Sequence, residues 1–373
     1  MLRLDPAGRA RWGKRAGVSS GLLGMLCVLG ELCFLLPDWL VTRDALPFYR
    51  AHIDFFRGLL QTAIFATFAL GAASVVLLRS KAHGLLGIGL GAVALAMGGA
   101  GAQALDVGRP GVSAGIDYLV LELLVLGLVF IPLERVFALR AQDIFRRGWQ
   151  TDLKHFFVSH AGVQLISLAS MVPAQLLFSR LTGSEFQRAV AAQPIVLQFV
   201  EIVFTVDFVA YWVHRAFHRV PWLWNFHAIH HSSQQLDWLA GSRMHVVDVF
   251  VTRAAGFLPV FLFGFAQAAV YAYIAVVSFH AVYLHSNTRW RWPLLRWIVT
   301  TPEYHHWHHT SDEEGIDKNY AGMLPVLDVL FRTAHLPDYW PKRYGTVKFQ
   351  PPESWLGQLY YPFRRHRGGT PYG

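Results

Sequence analysis

Residues 207–232 read Asp207-Phe-Val-Ala-Tyr211-Trp-Val-His214-Arg215-Ala-Phe-His218-Arg-Val-Pro221-Trp-Leu-Trp224-Asn-Phe-His227-Ala-Ile-His230-His231-Ser232. The stretch closes an apolar run that starts near residue 194 and delivers it into two histidine clusters. His214 and His218 stand at i and i+4; His227, His230 and His231 stand at i, i+3 and i+4. On a helix these positions share one face, so each cluster aims two or three imidazoles at one point. A third cluster, His305-His306-Trp-His308-His309, repeats the second pattern with His306 as an extra.

Twelve of the 18 histidines lie within residues 214–309, where average usage would put about two. A protonated cluster would repel itself, and burying bare polar rings near a bilayer is costly. A bound cation removes both problems. A zinc site closes with about four protein ligands, so nine or more clustered imidazoles fit two metal ions better than one. The six scattered histidines, His155 and His160 among them, read as ordinary interfacial or surface residues.

Working outward, the 373-residue chain is 54% hydrophobic and 15% charged, against about 25% charged in soluble domains. An all-α, polytopic integral membrane protein is expected: a transmembrane helix bundle with a cytoplasmic helical cap that carries the histidines. Apolar stretches at roughly 20–41, 58–78, 84–105, 116–138, 155–178 and 194–213 read as spans of about 20 residues. The run 254–284 is longer than one span needs and reads as a tilted span or a re-entrant hairpin. The Gly/Ala-rich third stretch suits close packing on a neighbouring helix. The basic stretch Arg9, Arg11, Lys14, Arg15 precedes an apolar run longer than a signal peptide's, so a retained first span is expected.

The basic N-terminus, Arg79 with Lys81, and Arg135, Arg140, Arg146, Arg147 and Lys154 fall on one side if every stretch crosses. That side is cytoplasmic by the positive-inside rule, and the N-terminus and metal site are placed there. The loop with Arg43, Arg50, Arg57 and Asp38, Asp44, Asp54 fits the rule poorly. For the third cluster to meet the first, the 254–284 region must return to the face it left. The net charge of +9 is read as loop charge in a membrane protein, not as a nucleic-acid footprint. Arg289-Trp290-Arg291-Trp292-Pro293 suits an interfacial anchor, and the tail beyond about Gly345 is polar and expected at the surface.

Imidazole suits Zn, Cu, Fe and Ni, so donor type alone leaves the metal open. No H-E-x-x-H is present, which argues against a zinc protease. The histidines bunch at span ends, unlike the ligands of a bis-histidine haem. Cys27 and Cys33 form neither a disulfide framework nor a C-x-x-C pair.

The stretch quoted first resembles the fatty acid hydroxylase/sterol desaturase superfamily of membrane histidine-box proteins. So do Thr301-Pro302-Glu303-Tyr-His305-His-Trp-His308-His309, the following Asp317-Lys318-Asn319-Tyr320-Ala-Gly322 and Asp328-Val-Leu-Phe331-Arg332-Thr333, and the H-x-N of His285-Ser286-Asn287. The resemblance covers about 150–345 and divides the chain into a transmembrane region of about four spans (1–149), a hydroxylase-like domain (150–345) and a polar tail (346–373). Two positions depart from the family pattern. Val246 stands where proline often follows His245, and Arg332 where glycine is common near Asp328.

The resemblance implies a non-haem di-iron lipid monooxygenase or desaturase that oxidises an unactivated C–H bond of a sterol-like or fatty acyl lipid with O2. Its ligands carry over as His214, His218, His227, His230, His231, His305, His308 and His309, with His285 as the ninth. His280 and His245 are candidates for a tenth, and zinc is a substitute expected in purified protein. No catalytic residue is assigned beyond the ligands. Asp207, Asp237, Asn319 and Asp328 are candidates to orient ligand rings through their second nitrogen.

No iron–sulfur cysteine set and no dinucleotide loop stands in the sequence, so a separate electron donor is expected, a ferredoxin or a small cytochrome with its reductase. A bacterial inner membrane is the expected location; the oligomeric state is not legible. The competing readings are a transport or sensor metalloprotein and a non-catalytic membrane scaffold on the same histidines. The first would need polar residues along a membrane path, and the spans 20–41, 58–78 and 84–105 are nearly free of acids.

Overall fold

The apolar stretches fold as helices. The structure, a computed structural model, describes residues 5–42, 45–103, 113–161 and 163–364, and leaves the side chains of 160–168 and 170 undescribed. Arg43, Asp44, residues 104–105 of the third expected span, the His160 side chain and tail residues 365–373 therefore lie outside it. Among the described residues the regular elements are all helices, with two isolated bridges besides. Seven helices among the described residues are long and apolar enough to cross a membrane: α1 (Pro6–Leu35), α2 (Ile53–Leu77), α3 (Ala82–Ala96, continued by a tighter turn to Gly101), α4 (Ile116–Val136), α7 (Ile195–Arg219), α9 (Val246–Phe263) and α10 (Gln267–His285).

The expected fifth span, 155–178, coincides with helical residues on both sides of position 162, α5 (Trp149–Ala161) and α6 (Val163–Phe178). Residue 162 between them is outside the described set. The long run 254–284 is two helices. α9 ends where Gly264 takes a left-handed φ of 67°, open to glycine without steric cost, and α10 starts at Gln267.

The chain divides into two compact units, Met1–Leu121 and Glu122–Gly373. In the first, α1, α2 and α3 pack closely through small residues. A Cβ at Gly87 of α3 would lie 1.9 Å from Ser20 Oγ of α1, and one at Gly84 would lie 2.6 Å from the Gly71 carbonyl of α2. Ser20 Oγ donates to the Thr67 carbonyl at 2.7 Å. Close backbone approach with a hydroxyl bond is how helices associate where lipid is as apolar as leucine.

In the second unit α7 is the organising element. One face buries Gln198, Ile202, Val206, Asp207 and Tyr211 and continues into the buried His218. The opposite face leaves Val196, Val200, Phe204, Phe208 and Trp212 exposed at strict i+4 spacing. The helix stops at Val220, whose conformation is extended as expected before Pro221. Pro221 opens α8 (Pro221–His227). Helices α9 and α10 both pack on α7; Ile202 and Val206 of α7 meet Phe265 and Ala269 there.

Helix α11 (Pro302–His308) has Thr301 as its cap, Oγ1 accepting from Tyr304 N at 3.4 Å, and proline at its first turn. Its fully buried Glu303 pairs with Arg291 at 3.1 Å and Arg296 at 3.5 Å, which ties the 289–296 segment to it. The C-terminal segment is packed, not merely superficial. Gln358, fully buried, meets His155 Nε2 at 2.8 Å, an amide–imidazole pair that the polar composition of the tail conceals.

Candidate metal centre

Nine buried or half-buried imidazoles gather into two groups. His214, His218, His227, His231 and His308 form one; His230, His285, His305 and His309 form the other. Within each group one nitrogen per ring lies within 4.8 Å of all the others. Helices α7, α8, α10 and α11 and the turn after α8 supply them. The two helices that replace the long apolar run return the chain, and clusters 78 residues apart in sequence meet. His306, on the other face of α11, joins neither group; its Nδ1 meets Tyr344 Oη at 2.7 Å and its Nε2 donates to the Ser286 carbonyl at 3.1 Å.

The rings are fixed from behind. Nδ1 of His214 donates to the Tyr320 carbonyl (2.7 Å), that of His308 to the Lys318 carbonyl (2.8 Å), that of His230 to the Arg243 carbonyl (3.2 Å) and that of His285 to the Ala281 carbonyl (2.7 Å). His227 Nδ1 donates to Asp248 Oδ2 at 2.7 Å and His218 Nδ1 to Asp317 Oδ1 at 3.3 Å. A carbonyl or carboxylate only accepts, so each of these Nδ1 atoms carries the proton and each neutral ring presents a bare Nε2 inward.

These bare nitrogens converge. His214 Nε2 and His227 Nε2 stand 3.0 Å apart, and His230 Nε2 and His285 Nε2 3.3 Å apart. Neither partner in a pair has a proton to share. In the first group Nε2 of His218, His231 and His308 is buried with no hydrogen-bond partner at all. Protonation would not rescue the arrangement. Burial, then the neighbouring imidazoles, pushes His230, His231, His305 and His309 well below the ordinary imidazole range; at His308 burial and then His214 do the same. Lone pairs aimed at one point in a dry site are what a cation needs, and an all-nitrogen donor set suits a transition metal or zinc. The residues fit two metal ions, five rings to one and four to the other.

His280 and His245 lie outside both groups. His280 Nε2 donates to the Thr300 carbonyl at 2.9 Å. His245 caps α9 by accepting from Val247 N at 3.1 Å and donates to the Leu359 carbonyl at 3.2 Å.

None of Asp207, Asp237, Asn319 and Asp328 hydrogen-bonds a grouped ring. Three of them hold one loop instead. Asp328 accepts from Tyr320 N and Ala321 N, both at 2.8 Å. Asp207 accepts from Gly322 N and Met323 N at 3.0 Å and from Leu324 N at 2.7 Å. Asn319 donates to the carbonyls of Tyr304 (2.9 Å) and His335 (2.7 Å). The clasped loop, with Asp317 and Asn319 both at left-handed φ (57° and 59°), supplies the acceptors for His214, His218 and His308 from four consecutive residues.

Asp237 belongs to a buried charge quartet. Arg146 bridges Asp152 (2.7 Å) and Asp237 (2.6 Å), and Asp152 also takes Arg243 Nε. Arg243 in turn presents its carbonyl to His230. Sequence reading missed Asp248, Asp317 and Arg243. Asp248 lies one helical turn past a histidine cap and Asp317 opens a motif already noticed, but pairing across 21 and 99 residues leaves no local signal for either role.

Fold and site together define a class: a helical protein with, among its described residues, seven helices fit to cross a membrane and a paired histidine centre suited to two metal ions. Residues 199–333 match the fatty acid hydroxylase family model, so this stretch is similar to that family. Among curated proteins it is 29% identical over 254 residues to ornithine lipid hydroxylase OlsE of Rhizobium tropici, covering 63% of this chain and 70% of that protein. It is 33% identical over 129 residues to alkylglycerol monooxygenase of Homo sapiens, covering 34% of this chain and 28% of that one. With methylsterol monooxygenase 1-2 of Arabidopsis thaliana it shares 26% over 178 residues, 47% and 54% of the two chains. Beyond the first of these, the chain spans about half or less of the relative's length. No solved structure matches it.

Proposed function

We propose that this protein is an O2-dependent hydroxylase or desaturase of a membrane lipid, working with two iron ions held by the two histidine groups. The observation that carries the reading is the convergence of unprotonated Nε2 atoms, with their Nδ1–H groups committed elsewhere. Support for lipid oxidation comes from the relatives, named as hydroxylase or monooxygenases of ornithine lipid, alkylglycerol and methylsterol. His214, His218, His227, His231 and His308 are the ligands of one iron, and His230, His285, His305 and His309 those of the other. No tenth histidine is required. The ligand-bearing segment 150–345 is the oxidising domain, and 1–149 anchors it.

Bound iron supplies O2 activation and the one-electron steps that break an unactivated C–H bond. Hydroxylation consumes RH, O2, two electrons and two protons and yields ROH and water; desaturation removes a second hydrogen and yields two waters. The electrons come from a separate donor protein, a ferredoxin or small cytochrome. The chain's own residues hold geometry. Asp248 and Asp317 keep the proton on Nδ1 of His227 and His218, and the carbonyls of Lys318 and Tyr320 do so for His308 and His214, so that Nε2 remains the donor atom throughout. Close packing of Tyr211, Tyr320 and Leu327 beside the first group excludes water. The site faces the cytoplasm of a bacterial inner membrane, following the loop charges.

Comparative lipidomics of cells with and without the protein, grown in oxygen, tests the activity: a lipid changed by +16 or −2 mass units is expected, and none in cells carrying His230→Ala. Purified protein is expected to hold two irons per chain. Full retention of metal by a variant lacking His230 and His308 would remove the ligand assignment.

A further inference from the structure

The region around the end of α7 carries a feature the metal centre does not use. Arg332 is exposed with a left-handed φ of 59°, a conformation in which a side chain is strained and glycine is not. Its guanidinium has no ion pair or hydrogen bond among the described residues. A strained, unpaired arginine on a surface invites a functional explanation. Arg332 follows α12 (Pro325–Leu330), a six-residue helix that buries Leu327 and Asp328 but leaves Val326, Val329 and Leu330 exposed. Phe331 packs on Phe208, Tyr211 and Trp212, with ring centroids 6.4, 5.1 and 4.8 Å apart. The exposed apolar side of α12 thus continues the lipid-facing stripe Val196, Val200, Phe204, Phe208, Trp212.

At this corner apolar surface gives way to cations. Arg215 stacks over Trp212 at 5.5 Å and donates to Tyr211 Oη at 3.2 Å. Arg219, one turn on, is more than half exposed and lies 3.5 Å from Asp317, whose other oxygen meets His218. Arg215 and Arg219 face one already shared carboxylate, and Arg332 follows the Phe331 that packs on the same Trp212, so the corner is positive. Tryptophan and arginine at the end of an apolar stripe is the arrangement of a membrane interface, with guanidinium forks at headgroup depth. A guanidinium matches phosphate or carboxylate oxygens two at a time. The same helix carries His214 and His218.

We propose that Arg215, Arg219 and Arg332 bind the anionic headgroup of a membrane lipid at the lip of the metal centre. This deepens the oxygenase reading by giving the lipid a class, yet its test does not use turnover. Full-length protein is placed in nanodiscs of phosphatidylcholine with phosphatidylglycerol, exchanged into neutral detergent, and the retained lipid counted by mass spectrometry alongside iron. Wild type is expected to retain phosphatidylglycerol over phosphatidylcholine. Arg332→Gly, which relieves the backbone, and Arg215→Gln are each expected to lower that retention about fivefold, with iron unchanged. Equal retention by wild type and both variants overturns the proposal. So does complete release of the lipid when inorganic phosphate replaces chloride at equal ionic strength, because the site would then need no lipid. Wild type that retains the anionic lipid but holds no iron speaks against the oxygenase reading alone.

Discussion

Asp248→Asn separates the two histidine groups. Asp248 is buried, accepts from His227 Nδ1 at 2.7 Å with one oxygen, and takes the Thr252 hydroxyl at 3.2 Å with the other. Asparagine keeps the shape: its carbonyl can still face His227 and its amide can face Thr252. Only the charge is lost. A hydrogen bond to a charged group contributes about 1.5–3 kcal/mol and a neutral one about 0.5–1.5 kcal/mol. The difference of about 1–1.5 kcal/mol corresponds to roughly a fivefold to tenfold weaker metal site. Asp248→Ala, which strands a buried N–H, is expected to weaken it about a hundredfold. The assay is chelator competition on purified protein, with both sites resolved by titration and total iron counted. Only the site containing His227 should respond, because no ring of the other group touches Asp248. Equal weakening at both sites, or no change with alanine, would refute the ring-orienting role.

Four further outcomes follow from the geometry. Asp152→Ala leaves Arg243 without its carboxylate and Arg146 with only Asp237, both buried, and is expected to cost about 3–5 kcal/mol, read as a collapse of thermal stability in detergent. Gly87→Ala drives a methyl into Ser20 and is expected to destabilise the first unit by about 1–3 kcal/mol, seen as faster proteolysis within 6–101 while iron content holds. Arg332→Gly removes left-handed strain and is expected to raise stability by about 1 kcal/mol, measured as a higher Tm. Metal-free protein should lose stability as pH falls below about 6.5: with folded-state pKa values depressed at His230, His231, His305, His308 and His309, the unfolded chain takes up protons first. A flat Tm between neutral and mildly acid pH would contradict that sign.

Much of the centre was legible because i, i+3, i+4 spacing is local. All nine histidines expected to bind metal fall in the two groups, and the apolar runs 194–213 and 254–284 lead into two of the helices that carry them; the short helices Pro221–His227 and Pro302–His308 have no apolar length to announce them. What the sequence hid is long-range. Asp207, Asn319 and Asp328 were singled out as partners of rings, yet they act on the backbone of residues 320–324 and on the carbonyls of Tyr304 and His335. Nothing in spacing says whether a carboxylate faces an imidazole or an amide. His245 and His280 look like ligands by residue type, and their carbonyl partners appear only once the chain is folded.

The clasp on the 317–324 loop has a consequence for genetics. A search for substitutions that abolish metal binding is expected to return Asp207, Asn319 and Asp328 together with the nine grouped histidines, since loosening the loop withdraws the acceptors behind three rings at once. A roster of ligands drawn from such a screen would count twelve where nine imidazoles stand.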